Sequence, residues 1–115
     1  MPKMKDDEFS PTEYLNMQKY DEAKKAFGAM NMNEGQITYL AYDLMNRKPL
    51  NEKAVKTILD IAIEQHPNSS MVYSRWGDYY LKLNDKPNAI KNYRKALELD
   101  PNDQQTKDIL NGLTK

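Results

Sequence analysis

Between Ser70 and Asp103 the apolar and aromatic positions fall into two helical stripes separated by a short polar break. Tyr73, Trp76, Gly77 and Tyr80 form the first, and Ala89, Tyr93, Ala96 and Leu97 the second, before Asp100-Pro101-Asn102 ends the run. Upstream, Ile37, Leu40, Ala41, Leu44 and Met45, joined by Tyr39 and Tyr42, predict a helix that Lys48-Pro49-Leu50-Asn51 breaks. Val55, Ile58, Leu59, Ala62 and Ile63 predict the next, with Asn51 as its cap and Pro67 beyond its end.

The two ends of the chain carry weaker versions of the same signal. Ser10-Pro11-Thr12-Glu13 is a helix start, with Ser10 as cap, Pro11 at the first helical position and Glu13 closing a capping box. Tyr14, Leu15 and Met17 follow, then Ala23, Phe27 and Met30; a helix over 11–18 with another over 21–30 fits, and so does one continuous helix. Residues 31–35 read as a turn in which Gly35 supplies a positive φ. At the far end Ile109, Leu110 and Leu113 give one last helix an apolar side, capped by Asn102 with Gln105 for the reciprocal bond. Residues 1–9 are expected to be loosely ordered.

The chain repeats itself. Pro67 and Pro101 lie 34 residues apart, as do Ala62 and Ala96, Leu59 and Tyr93, Val55 and Ala89, and Tyr39 and Tyr73. Two antiparallel helices cannot bury an apolar face alone, so repeated pairs must stack. The spacing divides residues 10–113 into a degenerate unit (10–35), repeats 36–69 and 70–103, and a capping helix (104–113). A glycine inside a helix costs about 1 kcal/mol relative to alanine, so Gly77 calls for a close contact, expected opposite Ala89. Counting by 34 puts Asp43 at the matching place. Sliding the first helix to put Ala41 there is the favoured reading, since the close contact needs a small residue, at the cost of an extra residue in the Lys48–Leu50 loop or early in the next helix.

The order of Trp76-Gly77, Tyr80, Ala89, Tyr93, Ala96 and Pro101 resembles the tetratricopeptide repeat (TPR), with Trp76 where Leu is usual and Tyr73 where Trp is frequent. The resemblance implies an all-α fold: a short right-handed solenoid of antiparallel helix pairs with a C-terminal capping helix. It also implies that the first helix of each pair lines the concave side. Met71, Ser74, Asp78, Leu81 and Lys82 then face a partner-binding groove. In the preceding repeat, counting from Pro67 adds Ile37, Leu40, Leu44, Arg47 and Lys48, while the slid register gives Thr38, Tyr42 and Met45. TPRs that grip C-terminal carboxylates carry Lys, Asn and Arg on these faces. Leu40, Leu44 and Met71 stand in several of those places, which points instead to a helix or an extended peptide. From Asn33 to Leu113, through Tyr39–Met45, Pro67–Gly77 and Ala89–Pro101, the chain further resembles the C-terminal TPR-like segment of bacterial serine hydrolases, esterase-like or β-lactamase-like.

Composition narrows the chemistry. Lys plus Arg and Asp plus Glu both total 17, so the net charge is zero, and nucleic acid or membrane is not the expected partner. With no Cys and one His, the usual zinc sets cannot be assembled. No Gly-x-Ser-x-Gly, Ser-x-x-Lys or Lys-Thr-Gly occurs, Ser10, Ser69 and Ser70 read as helix starts, and His66 sits at a helix end before Pro67. No catalytic, cofactor-binding or metal-ligating residue is expected. The expected function is a non-catalytic protein–protein interaction module, or else a structural appendage packed on a hydrolase domain; a second copy of the chain is a third partner. The start of the sequence is too polar for a signal peptide, so a cytoplasmic place is expected of a complete chain and export of a hydrolase fragment.

Overall fold

Side-chain caps set where six of the seven described helices begin. The computed structural model describes residues 9–115, in which seven helices and no strand occur: α1 (Pro11–Asn16), α2 (Tyr20–Gly28), α3 (Glu34–Met45), α4 (Glu52–Gln65), α5 (Ser70–Lys82), α6 (Lys86–Leu99) and α7 (Gln104–Leu113). The loose order expected of residues 1–9 concerns, apart from Phe9, residues outside those described. Ser10 and Glu13 close a capping box on α1, and Asn33 and Gln36 do the same on α3. Asn51, Ser69 and Asp85 each accept one backbone N–H of the helix they precede. Two expectations are corrected. Asp103, not Asn102, caps α7, because its carboxylate reaches the Thr106 N–H. Gly35 lies inside α3 and has no positive φ; the capping box at Asn33 starts the helix before it.

α1 and α2 are separate helices. Gln18 takes a left-handed conformation (φ 61°), and the Lys19 N–H donates to the Tyr14 carbonyl at 2.8 Å, which closes α1 and turns the chain back. The same device joins α5 to α6: Asn84 has φ 59°, and the Asp85 N–H reaches the Tyr80 carbonyl at 2.8 Å. α3 and α4 are joined differently, by Asn46–Asn51.

That longer connection holds the register shift. The caps of α4 and α6, Asn51 and Asp85, are 34 residues apart, but those of α3 and α5, Asn33 and Ser69, are 36 apart. The slid register is therefore the observed one. Ala41 stands at the place of Gly77, fully buried, and Ile37 rather than Tyr39 at the place of Tyr73. The displacement is two residues, the helix pair begins at Glu34 rather than at residue 36, and the loop has six residues where the last hairpin has three, not the single extra one expected.

The pairs α1/α2, α3/α4 and α5/α6 stack into a body of 60 × 28 × 17 Å. α2 packs on α4, α3 and α4 on α5, and α6 on α7. Ile37, Ala41 and Met45 of α3, Val55, Ile58, Leu59 and Ala62 of α4, and Val72, Trp76 and Tyr79 of α5 form one continuous core with Leu15, Ala23 and Phe27 of the first hairpin. Trp76 stacks on Tyr80 (5.9 Å between centroids) and meets Tyr79 edge-on.

Gly77 makes its close contact with Tyr93, not with Ala89. A Cβ at position 77 would lie 2.6 Å from Cε1 of the Tyr93 ring, well inside van der Waals contact. Periodicity placed both residues on facing stripes; the ring is simply long enough to lie over the glycine from one turn further along α6.

The first hairpin is cut short at its open end. With the two left-handed turns aligned, Tyr14, Ala23 and Phe27 match Tyr80, Ala89 and Tyr93, but α1 has 6 residues to the 13 of α5, and α2 has 9 to the 14 of α6. The linker to α3 takes the place of the missing turns. Gln65 Nε2 donates to the carbonyls of Gly28 and Met30, both at 3.1 Å, and His66 Nε2 donates to that of Met32 at 2.8 Å. His66, read from the sequence as sitting at a helix end before Pro67, thus ties two units together.

Candidate binding groove

The C-terminal half of α3, one face of α5 and the start of α7 enclose an open groove of about 350 Å³. Tyr42, Met45 and Asn46 form one wall, Arg75, Asp78, Leu81 and Lys82 the other, and Gln105 closes one end. A smaller depression of about 180 Å³ continues it past Met71, Ser74 and Thr106. Ser74 and Thr106 fix α7 on α5: the Thr106 hydroxyl donates to Asp103 Oδ2 at 2.6 Å, which leaves its oxygen to accept from Ser74 Oγ at 2.8 Å.

The charged residues of the groove are tied to one another. Arg75 Nη1 donates to Asp78 Oδ2 at 2.9 Å, and its guanidinium lies over the Tyr42 ring, 5.0 Å from the centroid. From behind, the Tyr93 hydroxyl donates to Asp78 Oδ1. Burial, and then this bond to a carboxylate, push the Tyr93 hydroxyl far above the usual phenol range, so it stays protonated as a donor. The Asp78 carboxylate is thus engaged on both oxygens. Lys82 has no hydrogen-bond or ion-pair partner among the described residues, and it is the free charge of the groove.

Of the residues the resemblance implied for a groove, Asp78, Leu81 and Lys82 line the larger hollow with Tyr42 and Met45 of the slid register, and Met71 and Ser74 the smaller one. The count from Pro67 is corrected. Each helical residue turns the chain by about 100°, so an error of two residues rotates α3 by about 200° and brings its inner face outward. Ile37 is fully buried, Leu40 and Leu44 pack on the core, and Arg47, beyond α3, is paired with Asp43 at 2.8 Å. Thr38 of the slid set is buried too, its hydroxyl bonded to the Glu34 carbonyl. Arg75, Asn46 and Gln105 line the groove without having been singled out. Arg75 could have been found three residues before Asp78, a spacing that pairs charges on one helix face. The register could have been read from Asn33-x-x-Gln36 aligned on Ser69.

Ser10 and Ser69 are spent on caps, Ser74 on Thr106 and His66 on Met32. Among the described residues no cluster of three or more His, Cys, Asp or Glu could hold a metal ion, and no helix is long and apolar enough to cross a membrane.

The class is thereby defined: an all-α, TPR-like solenoid of stacked helix hairpins closed by a seventh helix. Residues 70–103, the span of α5 and α6 with their flanks, match the tetratricopeptide repeat family. Among solved structures, the chain is similar to the first TPR of Spaghetti (RPAP3) bound to the HSP90 peptide SRMEEVD. The TM-score is 0.63 at 24% sequence identity, over 90% of this chain and 84% of that one. No curated protein matches the chain.

Proposed function

We propose that this protein is a non-catalytic interaction module whose groove between α3, α5 and α7 holds a peptide or helix of a partner protein. The observation that carries the reading is the groove itself: an apolar strip of Tyr42, Met45 and Leu81 beside an unpaired Lys82. Tyr42 and Met71 are 48% and 44% exposed although both are large and apolar. An occupant with one or two apolar anchors and an acidic side chain near Lys82 fits this surface. A clamp for a C-terminal carboxylate fits less well: Asn46 and Gln105 offer amides, but of the two cations Arg75 is already paired with Asp78, which leaves Lys82 alone.

Selection of a displayed peptide library on the full chain tests the reading. Enriched peptides are expected to carry apolar anchors and to lose binding to the Leu81→Glu and Tyr42→Ala variants. Enriched peptides indifferent to both substitutions, or no enrichment at all, would overturn it. Attachment to a serine hydrolase rests on the resemblance between Asn33 and Leu113, and it would make the occupant a neighbouring domain. A second copy of the chain is the remaining partner, and a concentration-dependent molecular mass abolished by Leu81→Glu would identify it.

A further inference from the structure

α5 has a second uncovered face. Tyr73, Trp76 and Tyr80 line a shallow trough there, with Ile63 of α4 on one side and Asn88, Lys91 and Asn92 of α6 on the other. The trough runs on, through Tyr73, Lys91 and Asn92, into a larger depression of about 530 Å³ along α6. The two hollows share no residue with the groove of Tyr42 and Leu81.

Its far wall is cationic. α6 carries Lys86, Lys91, Arg94 and Lys95 against a single carboxylate, Glu98, in a chain whose net charge is zero. Lys95 lies 6.0 Å from the centre of the Tyr73 ring and 3.5 Å from Glu98. Lys91 and Arg94 have no hydrogen-bond or ion-pair partner among the described residues. Lys91, Arg94 and Lys95 follow at helical i, i+3 and i+4 positions, so their charges line one side of the helix. Trp76 lines the trough beside Lys91, is 7% exposed, and its indole N–H has no acceptor among the described residues.

We propose that this convex trough is a second docking site, and that it takes an acidic, extended peptide segment with an apolar or aromatic side chain. Lys91 and Lys95 stand one turn apart, about 6 Å along the helix axis. Residues two apart in an extended chain are separated by about 6.6 Å. Acidic side chains at alternate positions therefore match the cations, while an apolar side chain between or beside them rests on Trp76 and Tyr80. The cations select the charge of the occupant and speed its arrival, and the aromatic floor supplies the contact area that holds it.

Trp76 is the only tryptophan of the chain, so its indole N–H gives a single resonance at the floor of the trough. The full chain is titrated with a short synthetic peptide of glutamate and serine around one phenylalanine, with its glutamine-for-glutamate counterpart, and with a short oligothymidylate. The acidic peptide is expected to move the Trp76 indole resonance and the amides of Tyr73, Lys91, Arg94 and Lys95, leaving Tyr42 and Leu81 in place. The double variant Lys91→Glu, Arg94→Glu changes only exposed side chains and is expected to bind at least about tenfold more weakly. Equal binding of the glutamine peptide, tighter binding of the oligothymidylate, shifts confined to the Tyr42–Leu81 groove, unchanged affinity of the double variant, or no shifts at all would each overturn the proposal.

Discussion

The hairpins α1/α2 and α5/α6 turn through the same left-handed device, at Gln18 and at Asn84, and differ in how they are held beyond it. The last hairpin has its full length and is locked from within: Tyr93 lies on Gly77, its hydroxyl grips Asp78, and Asp78 in turn holds Arg75. The first has Phe27 at the place of Tyr93, so it has the ring without the hydroxyl, and it lacks the turns that would complete its open end. It is held from outside instead, by α4 through Phe27, by the Tyr20 hydroxyl on Asn51, and by Gln65 and His66 on the linker. A repeat can thus be shortened if its neighbour takes over the hydrogen bonds of the missing turns.

The largest expected break in this comparison comes from the two matching rings. Tyr93→Ala is expected to cost about 3–5 kcal/mol, measured by urea unfolding, and to loosen the whole α5–α7 region. Phe27→Ala is expected to act locally, speeding hydrogen exchange in α1 and α2 while the amides of α5 and α6 keep their protection. Equal loss of protection across the chain in both variants would show that the two hairpins do not differ in this way.

Next comes the close contact itself. Gly77→Val is expected to cost about 1–3 kcal/mol by overpacking against the ring. Combined with Tyr93→Leu the cost is expected to be smaller than the sum of the single changes, because the obstructing atoms are gone. Additive costs in the double-mutant cycle would place the contact of Gly77 elsewhere.

Smaller again is the effect on the external tie. Gln65→Ala removes two hydrogen bonds to linker carbonyls and is expected to cost about 0.5–1.5 kcal/mol, seen as faster exchange in α2 alone. The Lys24–Glu64 ion pair joins the same two helices, but at 46% and 60% exposure its removal is expected to change little. The smallest effect belongs to the shared turn. Gln18→Gly relieves a left-handed glutamine but frees the unfolded chain, for a net gain of at most about 1 kcal/mol in thermal or urea unfolding. Asn84→Gly should gain less, since asparagine tolerates that conformation better.

The last hairpin and the cap were legible in the sequence because period, aromatic stripe and terminating proline agree there. The register of α3 was legible in part: the need for a small residue at the close contact favoured the slide to Ala41, but the groove residues Ile37, Leu40, Leu44 and Arg47 were counted from Pro67 across a loop that had grown by three residues; the caps carry the true register. Periodicity says which face of a helix is buried, not which residue it meets, so Gly77 was assigned to Ala89 when the ring of Tyr93 reaches it first. Neither the stop at Gln18 nor the tie from Gln65 has a local signature. Glutamine is not a usual left-handed residue, and its partners at Gly28 and Met30 lie 37 and 35 residues away. Half of the groove was visible on α5. Its other wall waited on the register of α3, and the convex trough draws on three helices at once.

Asp78 gives one further consequence. It faces the groove with one edge of its carboxylate while the other edge is bolted to the helix behind. A peptide held there as proposed would meet Arg75 and Tyr42 already braced on this anchor, so those side chains would give up little freedom on contact.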